Sequence, residues 1–406
     1  MTRAFDLVLH GATGFTGRQA AQYIHEHIPS TIRWAISGRS LDKLKTLAAT
    51  IGLPEHVGLI KADALNTDDM DKLSASARVI CTTVGPYARY GQELIAACVR
   101  NGTHYLDITG ETPFVAEVIE RYHQECEERG ICIVPFCGFD SVPSDSAVYL
   151  AAKMLKGRGE ELADATAVFK LKGGLNGGTL ASALNLAESG RKRLDDPLLL
   201  NPEQYRSESE RSESLDLDRA LHHPNLGWVA PFVMAPINTR VVRRSNALFH
   251  ERGIGYGPRF RYREGLSVKG RGRGFLVAYV IRLVDRILTR RLGRMLIRAL
   301  GPSPGQGPSA QAIETGFFKL KLFGRGDEAR DVEVVIQAQG DPGNRTTVTA
   351  LCESAFCLVE RALDSTAVTG GILTPMTAFG DDLIRRLQTR GWRFDVSVSP
   401  KSSASS

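Results

Sequence analysis

Near the N-terminus, Gly11-Ala12-Thr13-Gly14-Phe15-Thr16-Gly17-Arg18 follows directly on the apolar run Phe5-Asp6-Leu7-Val8-Leu9-His10. A strand, a glycine turn and a helix in that order suit the pyrophosphate of a dinucleotide. Gly11 permits the sharp turn and Gly14 lets the backbone approach the phosphates. Gly17 lets the helix lie close to the strand, its N-terminus facing the anion. Thr13, Phe15 and Thr16 stand between these glycines and join the expected cofactor contacts. The chemistry such a turn serves is hydride transfer, where the cofactor brings the reactive centre and the protein supplies position.

Further candidates fall where later strands should end. Ser37-Gly38-Arg39-Ser40 holds no acid to repel a ribose 2′-phosphate and offers the Arg39 guanidinium to grip one, which favours NADP over NAD. Asp63 suits either the adenine amine or a helix cap. Thr83-Val84-Gly85-Pro86 gives small residues and then proline, as a backbone passing beside the nicotinamide ribose requires. Tyr87 and Tyr90 come next, phenols able to donate a proton near the hydride or simply to pack. Glu111 and Asp140 lie on two further glycine-punctuated loops and can orient substrate or water, so Tyr87, Tyr90 and Asp140 are the candidate catalytic residues. Ser141 and Ser144 read as helix caps. No metal-ligand spacing is present, and the seven cysteines, Cys137 beside Gly138 among them, read mainly as reduced, buried thiols.

The elements that must position these residues alternate. Strands are predicted over 5–10, 32–37, 57–60, 78–83, 103–107 and 131–134. Helices fall between them over 41–50, 67–76 (capped by Thr67), 91–100 and 112–129. Strands separated by helices of this length pair in parallel with right-handed crossovers, so residues 1–150 read as a doubly wound Rossmann sheet. Beyond that point the texture changes. Residues 161–175 have strand-like stretches, 179–193 are helical, and 201–219 form a Ser/Glu/Arg-rich run expected as a mobile surface loop. Residues 316–323 and 332–338 alternate as a hairpin, with 345–351 as a third strand. The expectation is an α+β second domain over 151–370 with an antiparallel sheet, serving substrate and dimer contacts. Helices over 353–364 and 381–390, a C-terminal helical segment at 371–399 and a polar tail at 400–406 follow.

The chain has 406 residues, 43% hydrophobic and 24% charged, and a net charge of +6. Those proportions exclude disordered and fibrous classes. The start has no apolar signal core, which leads to a cytoplasmic expectation. Basicity is local: residues 271–300 hold eight arginines against the single acid Asp285, leaving the remainder close to neutral. Nucleic-acid binding is therefore not implied. Residues 274–300 place apolar residues at helical spacing, with Arg282, Arg286, Arg290 and Arg294 recurring every fourth position. That face suits an anionic neighbour, whether the inner membrane surface, an acidic carrier protein or a partner subunit. It also suits plain solvent exposure.

With these loops read, the chain resembles the saccharopine dehydrogenase-like family. Within it, the chain is similar to the trans-acting enoyl reductases that serve polyketide synthases making envelope lipids. The strings that carry the resemblance are GATGFTGR (11–18), TTVGPYARYG (82–91), GTHYLDITGE (102–111), CGFDSVPSD (137–145), APINTRVVRRSNAL (235–248) and GGILTPMTAFGD (370–381). The resemblance implies reduction of an enoyl thioester, with hydride from NADPH to the β carbon and a proton to the α carbon. It also makes Asn238, Arg240, Arg243, Arg244 and Asn246 candidates for a phosphopantetheine phosphate or acyl carbonyl, or else the polar edge of a strand. A saccharopine-type amino-acid reductase and a non-catalytic membrane-surface protein remain the alternatives.

Overall fold

The computed structural model describes residues 3–174, 177–189, 195–300, 307–364 and 369–399. The chain begins with β1 (Phe5–His10), α1 (Phe15–His27), β2 (Trp34–Gly38), α2 (Leu41–Ile51), β3 (Gly58–Lys61), α3 (Thr67–Ser76) and β4 (Ala77–Thr82). It continues through α4 (Tyr87–Tyr90), α5 (Gln92–Asn101), β5 (His104–Asp107), α6 (Thr112–Glu128), β6 (Cys132–Val134) and α7 (Val142–Lys156). Then come β7 (Leu162–Lys172), α8 (Gly177–Ser189), α9 (Glu208–Glu213), β8 (Leu221–His223), β9 (Gly227–Ala230), α10 (Ala235–Glu251) and β10 (Arg261–Val268). After α11 (Arg271–Thr289), α12 (Arg291–Leu300) and α13 (Ala310–Thr315) follow β11 (Phe317–Gly326), β12 (Asp331–Gln339) and α14 (Thr347–Leu363). The chain closes with β13 (Gly371–Ile372), α15 (Pro375–Phe379), α16 (Asp381–Thr389) and β14 (Arg393–Val398).

The first sheet is parallel throughout, in the order β13-β6-β5-β4-β1-β2-β3. Its strands are short apolar runs because both faces are covered. Leu7, Leu9, Ile36, Val79, Cys81 and Leu106 point into the larger core, while Val8, Ala35, Ile80 and Tyr105 point into the other. The two-residue period thus feeds two cores from each strand. The second sheet runs β14-β12-β11-β7-β10-β9-β8 and is antiparallel except for the β7–β10 pair. Helix α7 leaves the first sheet and packs on β7, β11 and β12, so the larger core is continuous between the sheets.

Several expectations need correction. Asn66, one residue earlier than Thr67, caps α3 by accepting from Asp69 N at 3.0 Å. Residues 345–351 are not a strand but a π turn leading into α14. Their β-branched threonines are accommodated because Thr346 and Thr349 hydroxyls donate back to the Pro342 and Arg345 carbonyls four residues earlier, at 2.9 and 3.0 Å. Helix α14 then packs on β1, β4 and β5, and this burial outweighs strand propensity. The Ser/Glu/Arg-rich run folds into a 3-10 turn and α9, pinned by Arg206 on the Asn201 and Leu199 carbonyls and by Arg211 on Asp196. Residues 274–300 form two helices, broken at Arg290. The polar tail at 400–406, the end of the helix expected to 193 and the residue Leu175 lie outside the described residues.

Candidate functional site

The carboxyl ends of β1 to β6 converge along one edge of the first sheet. At β1, Gly11 has φ +87°, and a Cβ there would stand 2.6 Å from Val84 Cγ2. A Cβ on Gly17 would stand 2.1 Å from the Gly11 carbonyl oxygen, so only glycine lets α1 begin this close to the strand. Gly14 occupies the N-cap of α1, and no side chain caps the first turn. Its backbone N–H groups therefore face outward as an anion cradle. The Ser37 carbonyl holds the turn by accepting from Gly11 N and Ala12 N at 2.9 and 3.1 Å.

Beside it, the Ser37 hydroxyl lies 3.1 Å from His10 Nδ1, and both residues are buried. Burial pushes the His10 imidazole down to about 4, so it is neutral at physiological pH, and its Nε2 has no hydrogen-bond partner among the described residues. The sequence reading did not single out His10, since a histidine at a strand end gives no motif. Arg39 is exposed at the entry to α2, and Ser40 beside it caps that helix. Asp63 is half-buried. Its Oδ1 accepts from Leu65 N at 3.1 Å in a local turn, and its own N–H donates to Asp69 Oδ2 at 2.9 Å.

The loop after β4 is held by a residue from the next loop. Buried Glu111 accepts from Tyr87 N at 2.8 Å and Ala88 N at 3.1 Å, which satisfies the start of α4. The same carboxylate accepts from Ser182 Oγ at 2.9 Å and Asn185 Nδ2 at 3.2 Å, so α8 is tied to this loop. Sequence reasoning could not find Ser182 or Asn185, because the link spans over seventy residues. Thr83 Oγ1 donates to the Gly11 carbonyl at 3.3 Å and joins the β4 loop to the glycine turn. The Gly85–Pro86 peptide is cis. Tyr87 is buried, its hydroxyl donating to the Thr82 carbonyl at 3.4 Å, and burial next to Asp107 raises its pKa well above a normal phenol. Tyr90 is half-buried, with the Arg89 guanidinium 5.1 Å from its ring centre.

Asp107, at the end of β5, is fully buried and accepts from Tyr105 OH, Thr109 N and Phe136 N at 2.7, 2.9 and 3.3 Å. Burial lifts it to about 7, and its contacts hold Phe136 at φ 67° where β6 turns into the next loop. That loop presents Asp140, whose carboxyl makes no hydrogen bond among the described residues and is raised to about 6 by burial. Behind it, Ser141 Oγ reaches Asn238 Oδ1 at 3.5 Å. Glu264 gathers Asn238 Nδ2, Ser144 Oγ and Tyr262 OH at 2.6, 2.7 and 2.9 Å, and desolvation lifts it to about 7. Ser141 and Ser144 therefore bond across to α10 and β10, not back to the start of α7, where no side-chain cap is made.

Residues 7–134 match the saccharopine dehydrogenase NADP binding domain. Relatives whose names include the words trans-acting enoyl reductase occur in Mycobacterium tuberculosis and Mycobacterium bovis. They are 38% and 36% identical over 413 residues, covering 96% of this chain and 96% and 97% of their own lengths. The chain belongs to the saccharopine dehydrogenase-like family.

As a member of that family the protein is an NADP(H)-dependent oxidoreductase. The glycine turn fits the cofactor, since its Cβ-free approach and uncapped helix start leave room and donors for a pyrophosphate. Among solved structures, saccharopine dehydrogenase (L-Glu forming) from Saccharomyces cerevisiae shares the fold, with a TM-score of 0.54 at 13% identity, covering 98% of this chain and 100% of that one. The later family string forms α10, not a strand edge, and its basic residues are internal. Arg240 and Arg243 pair with Asp216, and Arg243 also donates to the Pro197 and Tyr262 carbonyls. Arg244 donates to the Leu200 and Ile372 carbonyls, and Asn246 Oδ1 accepts from Tyr256 N at 2.8 Å. With Arg240, Arg243 and Arg244 almost wholly buried, they brace the fold and do not present a phosphate site. All seven cysteines, Cys137 included, are buried and free, and burial raises the Cys137 thiol well above its normal range.

Proposed function

We propose that the protein reduces the carbon–carbon double bond of an α,β-unsaturated acyl thioester, carried by another protein such as a polyketide synthase carrier domain. The observation that carries this reading is the juxtaposition of the α1 anion cradle, the braced β4 loop and the Asp140 carboxyl, unpartnered among the described residues, along one sheet edge, in a chain matching enoyl reductases over 96% of its length. NADPH, when bound, supplies the hydride for the β carbon. The first turn of α1 receives the pyrophosphate and Arg39 the 2′-phosphate, with the Asp63 loop at the adenine end. Thr83, Val84, Gly85 and Pro86 run beside the nicotinamide ribose, and Glu111 fixes this loop through the Tyr87 and Ala88 N–H groups. Tyr87 packs beneath it and Tyr90 forms part of the wall. Asp140 carries the proton destined for the α carbon, and a value near 6 leaves a usable protonated fraction at neutral pH.

The test is NADPH oxidation with enoyl pantetheine thioesters. Wild type is expected to turn over and to bind NADPH at least about tenfold more tightly than NADH, and Arg39→Ala to erase most of that preference. Because the protonated carboxyl is the active form, turnover should fall as pH rises through about 6, and Asp140→Asn should remove that limb. Tight NADPH binding with no turnover of any enoyl thioester would overturn the substrate assignment.

A further inference from the structure

Helix α11 packs inside out. Its small residues, Gly274 and Ala278, are the buried ones, and Gly274 is close enough to Ala220 that a Cβ would stand 2.8 Å from it. The large apolar residues Phe275, Leu276, Tyr279, Val280, Leu283 and Val284 are all exposed, Tyr279 by 65%. They recur at i, i+1, i+4, i+5, i+8 and i+9, which places them on one side of the helix. Helix α12 repeats the pattern, with Leu292, Met295 and Leu296 exposed, Leu292 by 80%. Isolated exposed leucines are ordinary, but nine large apolar side chains on two successive helices form a patch with a purpose.

Arginines border this patch. Arg271 and Arg286 on α11 and Arg290 between the two helices are exposed beside it, Arg282 reaches the Asp218 carbonyl at 2.8 Å, and Arg291, Arg294 and Arg298 line the other side of α12. Arg291, Arg294, Arg298, Met295 and Glu188 also line a cavity of about 460 Å³. A second copy of the chain would set these guanidinium groups against each other, so a homodimer fits the face poorly. Apolar residues on the outer sides of two helices, bordered by arginine, match an interfacial membrane helix pair. Among the described residues no helix is long and apolar enough to cross a membrane, so such contact lies in the surface plane.

We propose that α11 and α12 dock the protein on an anionic phospholipid bilayer, apolar residues entering the headgroup boundary and arginines meeting lipid phosphates. The face lies one helix from the cleft. Glu188 at the end of α8 receives Arg294 and Arg298 at 3.4 and 3.3 Å, while Ser182 and Asn185 of the same helix hold Glu111. Docking thus sets the reductase beside a phase in which long acyl chains dissolve. The proposal stands apart from the substrate assignment, because partitioning is measurable without turnover.

The experiment is co-sedimentation of the full chain with vesicles of equimolar phosphatidylglycerol and phosphatidylcholine, compared with phosphatidylcholine alone. Wild type is expected to sediment with the anionic vesicles only. The triple variants Leu276→Asp/Tyr279→Asp/Leu283→Asp and Arg271→Glu/Arg286→Glu/Arg290→Glu should each lower the partition at least about tenfold. Undiminished NADPH binding certifies that each variant is folded. Three results would overturn the proposal: wild type left in the supernatant at physiological salt, partition indifferent to both triple variants, or a wild-type dimer that the apolar triple variant turns into monomer.

Discussion

Arg244 and Arg286 carry the same guanidinium on helices of similar length, yet one is 1% exposed and the other faces water. On α10 the three arginines are almost wholly buried, and each ends on a carboxylate or a carbonyl of a distant segment: Asp216 for Arg240, Tyr262 on β10 for Arg243, and Leu200 and Ile372 for Arg244. On α11 the inward positions are taken by Gly274 and Ala278, so arginine and leucine alike are turned out. Both helices are arginine-bearing, with Arg240, Arg243 and Arg244 on α10 and Arg271, Arg273, Arg282 and Arg286 on α11. What separates Arg244 from Arg286 is the residue opposite: two carbonyls in one case, no hydrogen-bonding or ion-pair partner for the guanidinium among the described residues in the other, although Arg282 one turn earlier on α11 does reach the Asp218 carbonyl at 2.8 Å. Buried Arg244 joins distant segments, whereas Arg286 is left facing outward.

The contrast can be broken or sharpened by substitution. The largest effect is expected for Asp216→Ala, which leaves Arg240 and Arg243 without their counter-charge and should cost about 4 kcal/mol in denaturant unfolding. Arg244→Met keeps the length of the side chain but strands the Leu200 and Ile372 carbonyls, for about 3 kcal/mol and a clear fall in Tm. At the other extreme, Arg286→Ala should stay within about 0.5 kcal/mol of wild type, as unpaired surface positions do. A loss at Arg286 as large as that at Arg244 would erase the distinction between the two helices.

Legibility in the sequence followed the range of the interactions. The six leading strands, the glycine turn and Arg39 are local patterns, and the helices between those strands were readable from period and caps. Helix α10 was not, because three arginines in seventeen residues look solvent-facing until Asp216 and the Ile372 carbonyl are brought to them. Residues 345–351 misled through their threonines and valine, whose strand preference yields to burial of α14. At the site, the loops carrying Glu111 and Asp140 were visible as acid-bearing glycine turns. The partners of Glu111 on α8, the orphaned Nε2 of His10 and the Glu264 network depend on tertiary approach alone. Two-residue β13 offers no pattern at all.

That last strand has a consequence for synthesis. Gly371–Ile372 pairs with β6, and the Arg244 guanidinium clasps the Ile372 carbonyl from α10. Until the ribosome has made them, the outer edge of β6 has no strand beside it, although everything else in the first sheet is finished with Val134. At about 5–20 residues per second this open interval lasts on the order of tens of seconds. The nascent sheet is thus a template awaiting its final thread, and the start of the string GGILTPMTAFGD is what closes it.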